Sequence, residues 1–174
     1  MLGHGAGGGV GAPDLVAATD GAVEIGISVV LVEQPYRVAG RRSPAPARQL
    51  DAAWTAVVEH LARGRLRDLP LVVGGRSLGA RVACRTVRES DAIGVVCLAF
   101  PVHPPGRPDA PSRLPELDAV TVPVLVVQGD RDPFGMPPPA AGRTVVQVAG
   151  DHGLKADVPA VKNAVRDWLD NLLG

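Results

Sequence analysis

The chain has 174 residues, of which 46% are hydrophobic and 21% charged, and its 18 basic side chains balance its 18 acidic ones. That apolar content excludes wholesale disorder, and the length favours a single domain over residues 1–174. The charge balance argues against a nucleic-acid partner or an anionic membrane surface.

Residues 3–9, Gly3-His4-Gly5-Ala6-Gly7-Gly8-Gly9, read as a glycine-rich loop. Gly3, Gly5 and Gly8 satisfy the G-x-G-x-x-G spacing of a dinucleotide-binding turn, with Glu33 at the end of the next strand as the ribose-binding acid. Three features weaken that reading. Six of the nine residues from Gly3 to Gly11 are glycine, only Met1 and Leu2 precede the pattern, and Pro13 delays the helix that should begin at the third glycine. The same loop after an early strand suits one half of an oxyanion hole, with a backbone N–H near Ala6 as donor and His4 as a loop-ordering residue.

A nearly continuous apolar run over 27–32 predicts a strand buried on both faces. A Pro- and Arg-rich stretch over 38–46 follows as a surface loop. Residues 47–62 place Leu50, Ala53, Trp54, Val57, Val58 and Leu61 on one face of a helix. A strand over 71–73 leads into Gly74-Gly75-Arg76-Ser77-Leu78-Gly79, and a helix follows with Leu78, Val82, Ala83 and Val87 inward and Arg81, Arg85 and Arg88 outward. Gly75, Ser77 and Gly79 make a G-x-S-x-G motif between strand and helix. Such a turn holds its serine in a strained conformation, and side chains two positions to either side would collide. The hydroxyl is thereby raised at a helix N-terminus, where the Leu78 N–H favours developing negative charge.

Further strands are expected over 93–98, 122–127 and 144–148. The first is followed by a second Pro-rich loop over 101–115. Loops leaving the C-terminal ends of strands line the crevice of an open sheet, so both Pro-rich loops are expected walls of a site. A serine nucleophile needs a base, and the base needs an orienting acid. Asp130 and Asp132 both follow the strand ending in Gln128-Gly129, and either is placed to serve as the acid. Among His4, His60, His103 and His152, the last lies between the final strand and the final helix, where a base reaches the sheet's C-terminal edge. His60, beside Glu59 on a helix, is expected to face solvent. The closing helix carries Val161, Ala164, Val165, Trp168, Leu169 and Leu172. Strand and helix alternating in this way predict a mostly parallel, doubly wound α/β sheet.

Cys84 and Cys97 are too few for a disulfide framework and read as buried small apolar residues. Neither paired cysteines nor an H-E-x-x-H pattern points to a metal, and no cofactor is expected. The apolar runs are too short to span a bilayer, and the N-terminus lacks the basic start and apolar stretch of a secretory leader, so the expected compartment is the cytoplasm.

Taken together, these residues resemble the α/β-hydrolase superfamily, and more closely its dienelactone-hydrolase-like, testis-expressed-protein-30-related branch. The resemblance rests on His4-Gly5-Ala6-Gly7, on Gly74 through Arg81, on Pro101-Val102-His103-Pro104-Pro105-Gly106-Arg107-Pro108, on Gln128 through Gly135, and on Asp151-His152-Gly153. It implies a hydrolase with Ser77 as nucleophile, Asp132 as acid and His152 as base, and backbone N–H groups of Leu78 and Ala6 as oxyanion donors. It also implies a small-molecule acyl substrate such as an ester or thioester, no cofactor, and no large cap over the site. His103 stands in the loop where larger relatives insert a cap. Some members serve as catalytically inactive scaffolds, which is the alternative reading. In this fold the strand entering the His-Gly loop is central, between the strands ending at Glu33 and Gly74, yet here it has only residues 1–3. The expectation is a native chain that begins upstream of Met1, or a marginally stable form.

Overall fold

The computed structural model describes residues 1–107 and 109–174; Pro108, in the second Pro-rich loop, lies outside the described residues. The β-branched runs become strands β1 (Leu2–Gly3), β2 (Leu31–Val32), β3 (Val72–Arg76), β4 (Gly94–Leu98), β5 (Val124–Gly129) and β6 (Arg143–Val148). All pair in parallel, in the order β2-β1-β3-β4-β5-β6. Alternate residues of the inner strands serve opposite faces, as the period of two requires. Val95 and Cys97 of β4, with Val124 and Val126 of β5, enter one core. Val96, Leu98, Leu125 and Val127 enter the other.

Helices α3 (Ala47–Ala62), α4 (Leu78–Thr86) and α5 (Leu114–Asp118) close the first core, and α1 (Pro13–Glu24) and α6 (Val158–Leu173) the second. A short helix, α2 (Pro35–Val38), buries Tyr36. This is the doubly wound α/β architecture expected, without a large cap domain: the connection from β4 to β5 carries only the five-residue α5 among its described residues. No helix among the described residues is long and apolar enough to cross a membrane. Cys84 and Cys97 are buried free thiols with sulfurs 3.6 Å apart, and the Cys84 hydrogen bond, with burial, pushes the Cys97 thiol well up.

Two elements depart from the sequence pattern. β2 pairs only at Leu31 and Val32 although the apolar run starts at Ile27, because its neighbour β1 offers only Leu2 and Gly3 to pair with. α1 corresponds only to the delayed helix after the glycine-rich loop, for which the pattern gives no bounds. Its buried face is mostly small (Ala17, Ala18, Gly21 and Ala22 beside Leu15), which weakens the helical hydrophobic signal. Its local signals were Pro13 at the start and Asp14 in the first turn.

β1 does lie between β2 and β3. Just before β1, the Met1 amine donates to Val72 O at 2.7 Å and is so deeply buried that desolvation lowers its pKa to about 5. The unfolded amine titrates near pH 8, so between pH 5 and pH 8 the unfolded chain binds the extra proton and stability rises with pH. The span amounts to on the order of 4 kcal/mol. The 174-residue chain is therefore expected to melt higher at pH 8 than at pH 5. A chain extended before Met1 replaces the amine with an amide and should lose this part of the slope; equal slopes in the two chains would refute the assignment.

Candidate active site

Ser77 stands where β3 turns into α4, with φ 50° and ψ −103°. A non-glycine residue held there costs roughly 1–3 kcal/mol and persists only where the surroundings over-determine it. One such constraint is β1. A Cβ added at either Gly75 or Gly79 would run into the carbonyl oxygen of Gly3. The motif's glycines thus make room for the neighbouring strand's backbone. The Ser77 N–H is taken up by Leu98 O at 2.9 Å, which ties the turn to β4 as well.

His152 follows β6 and reaches back across the sheet edge. Its Nε2 lies 2.9 Å from Ser77 Oγ and its Nδ1 lies 2.8 Å from Asp132 Oδ2. Asp132, in the turn after β5, has a side chain only 1% exposed, against 15% for His152. The structure brings Asp132, and not Asp130, against the imidazole. Asp130 instead accepts the Gly150 N–H at 2.8 Å and so anchors the start of the His152 loop. His60 is exposed on α3, as expected. His103 sits in the loop after β4, where its N–H donates to Phe134 O at 2.9 Å and its side chain packs near Gly135.

Two neighbours of this constellation escape a motif reading. Gln128, fully buried at the end of β5, places Nε2 within 2.8 Å of Asp132 Oδ2, 2.8 Å of Gly135 O and 3.1 Å of Phe100 O. The other Asp132 oxygen accepts the Phe134 N–H at 2.8 Å. The Phe134 ring stacks on His152 with centroids 3.9 Å apart. Gln128 left a visible trace in the sequence, since a polar side chain ending an apolar buried strand must find partners. Phe134 left none, because stacking is decided by the turn.

The glycine-rich loop after β1 lies beside the serine: a Cβ built on Gly5 would be 3.5 Å from Ser77 Cβ. His4 is fully buried and locked in one tautomer. Its Nε2 accepts the Gln34 N–H at 2.9 Å, so the proton is on Nδ1, which donates to Gly5 O at 2.7 Å. The Tyr36 hydroxyl donates to Ala6 O at 3.1 Å. Since a trans peptide points its N–H opposite to its C=O, pinning Gly5 O turns the Ala6 N–H the other way. Neither that N–H nor the Leu78 N–H, in the first turn of α4, meets an acceptor among the described residues.

The chain belongs to the alpha/beta hydrolase family: the family's alpha/beta hydrolase domain matches residues 1–160. No curated protein sequence matches it significantly. Among solved structures it is similar to a protein from Xanthomonas campestris pv. campestris assigned to the alpha/beta hydrolase superfamily, at 20% identity and a TM-score of 0.72, over 98% of this chain and 96% of that one. It is similar to a lidless α/β serine hydrolase, also from Xanthomonas campestris, at 24% identity and 0.70, over 93% and 76%. A third neighbour is Est1E from Butyrivibrio proteoclasticus with ferulic acid bound, at 16% identity and 0.74, over 99% and 88%. At these identities the likeness is one of fold.

Gln128→Leu roughly keeps the volume but removes the two N–H protons that Asp132 Oδ2, Phe100 O and Gly135 O share. We expect a stability loss of about 1–3 kcal/mol in urea unfolding; an unchanged midpoint would show that the amide does not hold this turn.

Proposed function

We propose that the chain is a serine hydrolase that cleaves an ester-type or related acyl bond of a small molecule, with Ser77 as nucleophile, His152 as base and Asp132 as acid. The observation that carries the reading is the imidazole of His152 spanning 2.9 Å to Ser77 Oγ on one side and 2.8 Å to Asp132 Oδ2 on the other. The carboxylate accepts Nδ1–H and so leaves the Nε2 lone pair facing the serine hydroxyl. Ser77 Oγ attacks the acyl carbon while its proton passes to Nε2. The N–H groups of Leu78 and Ala6 stabilise the oxyanion, which is worth about 10²–10³-fold per donor in acyl transfer. His152 then protonates the departing alcohol or thiol. Water, deprotonated by the same nitrogen, attacks the acyl-Ser77 ester, releases the acid and restores the serine.

Support for an acyl substrate comes from the family and from a neighbour with ferulic acid bound. The uncapped fold suits an open site, and by its motifs we assign the chain to the dienelactone-hydrolase-like branch, acting in the cytoplasm without a cofactor. The competing scaffold reading predicts an unreactive Ser77.

A fluorophosphonate probe, read by intact mass and peptide mapping, should label the wild-type chain at Ser77 alone. Ser77→Ala should abolish labelling, and His152→Ala should slow it by about 10⁴-fold or more. Absence of labelling in well-folded protein would favour the scaffold. His4→Ala should lower ester turnover by roughly 10-fold or more through the Ala6 donor, with labelling still confined to Ser77; wild-type turnover would remove His4 from the oxyanion loop's support.

A further inference from the structure

Arg76, between Gly75 and Ser77, has no role in the reaction above, yet its guanidinium touches three elements around the nucleophile. It is the last residue of β3, and its side chain is 17% exposed. Nε lies 2.8 Å from Oδ2 of Asp14, a carboxylate with no exposure at all. Nη2 donates to the backbone oxygen of His152 at 3.0 Å. Nη1 lies against Gly5, where an added Cβ would approach it to 2.7 Å.

We propose that Arg76 is a positioning residue, a fork anchored on buried Asp14 that fixes the His152 loop and the Gly5–Ala6 loop relative to Ser77. The inference rests on the hydrolase reading and adds to it the device that sets the register of its parts. Asp14 sits in the first turn of α1, and α1 is independently held against α6, with Gly21 packed on the Lys162 carbonyl. The anchor is therefore a fixed platform, which the ion pair does not have to hold in place.

A buried ion pair is a poor source of stability, because desolvating both charges offsets most of their attraction. Burial accordingly pushes the Asp14 carboxyl up, while the Arg76 guanidinium beside it pulls the other way. Oδ2 makes no well-aligned hydrogen bond, so the pair is held by charge and packing. What the arrangement supplies is geometry. A planar guanidinium spans an ion-pair contact with Asp14, a hydrogen bond to His152 O and a packing contact at Gly5, whereas a lysine ammonium at the same point has neither the fork nor the reach. The two loops it touches carry the base and one proposed oxyanion donor, and a misplacement of about 1 Å in such groups costs roughly 100-fold in rate.

The test compares wild type, Arg76→Lys, Arg76→Met, Asp14→Asn and the Met/Asn double variant. The readouts are fluorophosphonate labelling rate, kcat and KM on p-nitrophenyl acetate, melting temperature, and hydrogen exchange over residues 4–7 and 151–154. Arg76→Lys keeps the charge facing Asp14, so it should melt within a few degrees of wild type. Its labelling rate and kcat should nonetheless fall about 10- to 100-fold with KM within about twofold, and both loops should exchange faster. The double variant should be no slower than Arg76→Met, since the two residues act as one unit. If Arg76→Met does not fold, Arg76→Lys and Asp14→Asn decide the matter. Folded Arg76→Lys that labels at the wild-type rate, or a loss confined to KM, overturns the inference and leaves the hydrolase reading intact. A folded wild type that does not label overturns the hydrolase reading and with it the catalytic purpose of the fork. Unchanged exchange in both loops of Arg76→Lys overturns the fork whatever the activity.

Discussion

The close approach of the Gly3 carbonyl to Gly75 and Gly79 is the constraint on which the rest of the site depends. It lets β1, only two residues long, lie between β2 and β3 and carry its glycine-rich loop to the side of Ser77. In the same turn Ser77 is held at a positive φ with its hydroxyl against His152 Nε2. Any side chain at either glycine separates strand from turn, and the loop that carries the Ala6 N–H moves with the strand.

Around that contact the polar groups are arranged in layers of decreasing exposure. His152 is partly open, Asp132 behind it is almost closed, and Gln128 behind Asp132 is fully buried. Each layer satisfies the one in front: the amide of Gln128 holds Asp132, and Asp132 holds the ring of His152. Buried polar groups are mostly paired, and the directed bonds from Gln128 Nε2 through Asp132 to His152 specify a single arrangement more strictly than apolar packing does. His4 and Tyr36 do the same for the loop on the other side of Ser77, by fixing two successive carbonyls.

Much of the architecture was legible in the chain. The runs over 93–98 and 122–127, from which β4 and most of β5 form, are continuously apolar because both faces of a parallel sheet are covered, and α3 has the bounds that its periodicity predicts. α1 was not legible, because a helix face of alanines and a glycine carries little hydrophobic contrast. Ser77 and His152 were picked out by local context, a strand–turn–helix motif and a loop after the last strand. Between Asp130 and Asp132 the residues alone left the choice open, and only the family resemblance preferred Asp132. The two carboxylates are two residues apart in one turn, and which of them meets the imidazole depends on how that turn bends.

By itself, then, the sequence determined the alternation of strand and helix, the parallel sheet, and the residue types available at its C-terminal edge. These are properties of local periodicity and of the backbone demands of glycine and proline. Only the tertiary structure decided that Gly3 packs on the motif glycines, that Gln128 and Phe134 flank Asp132 and His152, and that Arg76 joins Asp14 to the His152 loop. Those contacts span separations of up to 76 residues, and no local pattern encodes a distance that appears only when the strands come into register.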